Sequence, residues 1–69
     1  MENSQLAQRI RAFRKLKGLT QQELADRMKI SVAILGAIER GNRIPEEAVL
    51  DQISQLLGIT KEELMGAST

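Results

Sequence analysis

Residues 20 to 41 read Thr-Gln-Gln-Glu-Leu-Ala-Asp-Arg-Met-Lys-Ile-Ser-Val-Ala-Ile-Leu-Gly-Ala-Ile-Glu-Arg-Gly, and this stretch decides the fold. Thr20 followed three residues later by Glu23 is a capping box, in which each side chain satisfies the other residue's backbone N–H. Leu24, Ala25 and Met28 then recur at helical spacing. Ser31 offers a second N-cap, Leu35 and Ile38 carry the apolar side of a second helix, and Gly41 stops it. Two helices of about eight residues with three or four between them form a helix-turn-helix arrangement. Neither is long enough to be stable alone in water. The rest of the chain must hold these two at a fixed angle.

Outward from this unit, the pattern predicts helices near 4–17, 21–28, 32–40, 46–57 and 61–65, and no strand. In the first helix Ser4 is the expected cap, and Leu6, Ile10, Phe13 and Leu16 form the expected inward stripe. Phe13, the only aromatic residue, is expected at the centre of the core. Gly18 ends this helix and Leu19 packs under the turn. Pro45 biases Ile44 away from helical geometry and opens the fourth helix, where Glu46 and Glu47 favour the positive end of the dipole. Leu50, Ile53 and Leu57 face inward there, and Gly58 ends it. Thr60 and Glu63 make another capping box, Leu64 closes the core, and residues 66–69 form a frayed tail. The expectation is one all-α domain over residues 1–69.

The chain of 69 residues contains neither cysteine nor histidine. Disulfides, thiolate metal sites, zinc coordination and imidazole acid–base chemistry are therefore not expected. A domain of this size buries roughly 60% of its unfolded surface, so its stability should be modest. No run approaches the roughly 18 apolar residues of a membrane span, and the polar start is no signal peptide. A cytoplasmic location is expected. The adjacent pairs Glu46/Glu47 and Glu62/Glu63 read as first-turn charges and not as an acid/base dyad, and Ser31 is accounted for as a cap. No catalytic residue, metal or cofactor is expected.

The net charge of +1 conceals a division. Residues 1–43 hold nine Lys/Arg against four acids, whereas residues 44–69 hold Lys61 against five acids. A basic face for a polyanion and an acidic back follow from that polarity.

Leu19 to Ala25, Ile30-Ser31, Ile38 to Pro45 and Leu57-Gly58-Ile59, matched in that order, resemble the Cro/C1-type (Xre-like) helix-turn-helix DNA-binding domain of phage repressors and small bacterial regulators. The resemblance spans roughly residues 5–65. It implies a compact five-helix, phage-repressor-like domain that binds double-stranded DNA and regulates transcription, as a repressor, by placing helix 32–40 in the major groove. It also implies a homodimer on a near-palindromic site, weak in this chain, with Ile44, Val49 and Leu56 (and Met65) as candidate contacts. By the same resemblance Gln21 at the start of the second helix meets phosphate, aided by the helix N-terminus, and Gln22 beside it is a further DNA-binding position. Val32, Ala33, Ile34 and Ala37 face the bases, Ser31 is a further DNA-binding position, and Arg40, Asn42 and Arg43 meet the backbone beyond them. Arg14 and Glu39 match a buried ion pair that ties the first helix to the third.

One departure is marked. Base-reading positions in that family commonly carry Gln, Arg, Ser, Thr or Lys, and here they are Val32, Ala33, Ile34 and Ala37, with Gly36 between. Apolar side chains read thymine methyl groups or leave reading to backbone, water and DNA shape. Weak direct readout is expected, and a second reading stays open: a protein-interaction module that keeps the fold and docks a partner or antagonist protein through the apolar third helix. No sensor pocket is evident, so regulation is expected through a separate regulatory protein or a lost C-terminal domain.

Overall fold

Backbone hydrogen bonds at the helix ends, more than helix propensity, divide this chain into its elements. The structure, a computed structural model, describes residues 2–66, with side chains from residue 5 onward. Five helices follow in order: α1 (Glu2–Leu16), α2 (Gln21–Met28), α3 (Val32–Glu39), α4 (Glu47–Leu57) and α5 (Lys61–Met65). Among the described residues there is no strand. Both capping boxes are present, Thr20 with Glu23 and Thr60 with Glu63, and the Ser31 hydroxyl accepts from the Ile34 N–H at 3.1 Å.

Helix α3 ends as a helix with a left-handed glycine should. The Gly41 N–H donates to the Ile38 carbonyl at 3.1 Å and the Asn42 N–H to the Ala37 carbonyl at 2.9 Å, with Gly41 at φ +80°. The same pair of bonds closes α2, from Lys29 to Asp26 at 3.2 Å and from Ile30 to Ala25 at 3.1 Å. There the left-handed residue is Lys29 (φ 60°), the single non-glycine with positive φ among the described residues. This conformation turns the chain fast enough to bring Ser31 to the start of α3 within three residues.

The core is aliphatic: Ile10, Leu24, Met28, Leu35, Ile38, Ile53, Leu57 and Leu64 are each at most 2% exposed. Helix α1 packs on α3, α4 and α5, while α2 packs on α3 and α4. The acidic second half is stitched by Lys61, which pairs with Asp51 at 3.0 Å and with Glu47.

Four expectations need correction. Leu16 is 79% exposed instead of inward, and Phe13 is half-buried at the edge of the core. Each three-residue step falls short of a full turn by roughly 60°, so the run 10, 13, 16 walks off the buried face. That face is Ala7, Ile10 and Arg14, all buried. Helix α1 begins at Glu2, which leaves Ser4 within the helix and not at its cap. Helix α4 begins at Glu47, one residue later than expected; Glu46 precedes it without a side-chain capping bond, and Pro45 is buried outside the helix. Gly66 closes α5 in the left-handed region, and the expected fraying of 67–69 lies outside the described residues.

Candidate nucleic-acid interface

A buried polar cluster fixes α3 against α1 and α2. Arg14 donates from Nε to Glu39 Oε2 at 2.7 Å and from Nη2 to Glu39 Oε1 at 3.0 Å. Its Nη1 donates to the Leu19 carbonyl, in the α1–α2 turn, at 2.7 Å. Gln21, the first residue of α2, donates from Nε2 to Glu39 Oε1 at 3.0 Å. One carboxylate from α3 thus gathers donors from α1 and α2, and the planar guanidinium fork sets its direction. The Glu39 side chain is 1% exposed and that of Arg14 9%. Among the described residues no buried side-chain polar atom lacks a partner.

This anchoring decides which side of α3 is outward. Leu35, Gly36, Ile38 and Glu39 are buried, Val32, Ala33 and Arg40 are exposed, and Ala37 is half-buried. Ile34 departs from the expected outward set: it is half-buried and packs against the core, because it sits one turn before Ile38 and shares its face. The outward strip therefore comprises Val32, Ala33, Ala37 and Arg40, with Gly36 beneath the Arg40 guanidinium. Ser31 lies exposed at the head of the strip, its hydroxyl oxygen engaged as the cap. Gln21 is half-buried with its amide on Glu39, whereas Gln22 is exposed with its amide on Asp26 at 2.9 Å. Asn42 and Arg43 are exposed in the loop beyond α3.

The exposed charge of the first part of the chain is one-sided. Between residues 5 and 43 the exposed bases are Arg9, Arg11, Lys15, Lys17, Arg27, Lys29, Arg40 and Arg43; the exposed acids are Glu23 and Asp26 alone. Glu23 is occupied by the capping box, where donation from the Thr20 backbone N–H, then its hydroxyl, holds the carboxyl below its ordinary value. No exposed acid lies on α3. Lys29, not singled out by sequence reasoning, places a cation in the turn beside α3; its position between two capped helices was the available signal.

Of the residues considered for self-association, Ile44 is 74% and Met65 56% exposed. Val49 and Leu56 are half-buried against the core, since positions 49 and 56 both flank Ile53 on α4. No helix among the described residues is long and apolar enough to cross a membrane.

The chain that carries this helix resembles known proteins over most of its length. The helix-turn-helix family HTH_3 matches residues 10–64. The chain belongs to the Cro/C1-type helix-turn-helix family. Within that family it is 52% identical over 64 residues to the uncharacterized HTH-type transcriptional regulator YazB of Bacillus subtilis strain 168, covering 93% of each chain. It is 36% identical over 64 residues to the immunity repressor protein of Bacillus phage phi105. That match takes in 93% of this chain and 44% of the repressor, so the chain spans less than half the repressor's length. The crystal structure of the clp gene regulator ClgR from Corynebacterium glutamicum superposes with a TM-score of 0.89 at 28% identity, over 94% of this chain and 83% of that one.

Proposed function

We propose that this helix-turn-helix chain lays α3 in the major groove of double-stranded DNA and holds the flanking phosphates with the cations around it. The chain is a DNA-binding regulator of transcription, repressor-like in kind. The observation that carries the groove reading is the outward strip of α3. It is free of exposed acids, small enough for close approach, and fixed by the Arg14–Glu39–Gln21 cluster. Affinity comes mainly from phosphate contacts by Lys29, Arg40 and Arg43, with Gln21 and Gln22 at the start of α2. Val32, Ala33 and Ala37 contribute apolar contact with thymine methyl groups and little hydrogen-bonded discrimination. Two copies bind a near-palindromic site, and of the residues considered for their contact Ile44 and Met65 are the exposed ones.

A salt titration of the chain with a duplex of random sequence tests this reading. Each phosphate neutralised adds about 0.9 to the negative slope of log K against log salt. Three cations per copy predict a slope of about −2.7 for each bound copy. Arg43→Ala should weaken binding to all sequences alike and make the slope shallower by about 0.9. An absence of duplex binding at low salt would overturn the proposal and favour a protein-docking role for α3.

A further inference from the structure

Between residues 32 and 40 one side chain carries hydrogen-bond donors, and it is Arg40. Its neighbour one turn earlier is Gly36, an unusual residue for the middle of an eight-residue helix, where glycine destabilises relative to alanine. Helical backbone needs no glycine there, and no atom of a neighbouring helix backbone comes within 4.0 Å of where a Cβ would stand. What stands nearest is Nη1 of the Arg40 guanidinium at 3.1 Å, then Gln21 Oε1 at 3.7 Å and Arg40 Cζ at 4.0 Å. The fork is folded back along α3 and covers Gly36, which is buried although the outward strip runs over it.

We propose that Gly36 is a positioning residue for DNA recognition: its missing side chain is the seat that lays the Arg40 fork along the middle of the outward strip. From there the paired N–H groups meet a pair of acceptors on the duplex, the chemistry shared by a guanine edge and a phosphate. Without the seat, Arg40 extends past the C-terminus of α3 and the strip keeps only apolar side chains. This rests on the reading that α3 lies on DNA.

The test uses a duplex selected by the parent chain from a random pool, with binding followed by anisotropy and folding by thermal unfolding. Gly36→Ala should raise the melting temperature, since alanine is the better helix former, while weakening binding. Gly36→Leu should weaken binding by about tenfold, the scale of one lost bidentate contact. In an Arg40→Ala background, the same Gly36 substitutions should change affinity little further. A loss equal for all sequences, with a shallower salt slope, assigns the fork to phosphate; a loss concentrated at one G·C pair, with the slope unchanged, assigns it to guanine. Gly36 variants that bind as the parent does, or that lose as much without Arg40 as with it, overturn the proposal while leaving the function standing. A parent chain that binds no duplex overturns both.

Discussion

Replacing Arg14 with methionine keeps most of the side-chain volume and removes the charge. Glu39 would be left with its carboxylate buried and the Gln21 amide as its remaining donor, and the Leu19 carbonyl would lose its 2.7 Å partner. Breaking a buried pair by deleting one partner costs roughly 3–5 kcal/mol. A chain of this length has a total stability of about 3–10 kcal/mol, so Arg14→Met should stand at or near the edge of unfolding. Glu39→Met should do the same by stranding the guanidinium. The double variant Arg14→Met/Glu39→Met strands no charge, and its residual loss should fall to about 1–3 kcal/mol, for the unpaired Leu19 carbonyl and Gln21 amide. Urea unfolding followed by far-ultraviolet circular dichroism measures all four corners of this cycle. Added salt should change the coupling little, because the pair is out of solvent. Single variants that each cost less than about 1 kcal/mol and add in the double would refute the argument, reducing the pair to a solvated surface bridge.

Three further outcomes follow from particular geometries. Lys29→Gly relieves a left-handed lysine at roughly 1–2 kcal/mol, offset by about 0.5–1 kcal/mol of added chain entropy in the unfolded state. The variant should therefore unfold at slightly higher urea while binding duplex DNA more weakly, and a clear loss of stability would count against the strain. Glu23 has its carboxyl lowered from 4.5 by the Thr20 backbone N–H and then the hydroxyl, so its contribution is complete above pH 4.5 and fades as pH falls through the lowered value. Glu23→Gln should accordingly be less stable than the parent at neutral pH and converge on it in acid; a gap that persists unchanged in acid would contradict the capping-box account. Ile44→Glu places a charge on the most exposed apolar residue of the acidic half and should lower the sedimentation coefficient of the DNA-bound species, whereas Leu56→Glu should chiefly destabilise the fold.

Local chemistry was legible wherever it is confined to a few neighbouring residues. The capping boxes at Thr20 and Thr60, the Ser31 cap and the bounds of α2 and α5 are written within four residues of sequence, and the structure has them there. What apolar periodicity concealed is rotational, and the buried Arg14–Glu39 pair was legible only through the family resemblance. In α1 a three-residue apolar rhythm pointed to Leu16, but the buried face belongs to Arg14, and periodicity scores an arginine as outward by default. The deciding fact is twenty-five residues away in Glu39, which makes burial of that charge tolerable. Helix α3 offers less contrast, since Val32 to Ile38 is apolar all round; Leu35 and Ile38 were legible as its buried side, whereas Ile34 was expected outward and packs on the core. The orientation of α3 is set by the polar residue at its end: Glu39 faces Arg14 and Gln21, and the helical rotation then turns Leu35 and Ile38 inward and Ala33 and Arg40 outward. The Arg14–Glu39 cluster is thus the element that fixes the presentation of α3, and its loss should unsettle the surface proposed to face DNA together with the fold.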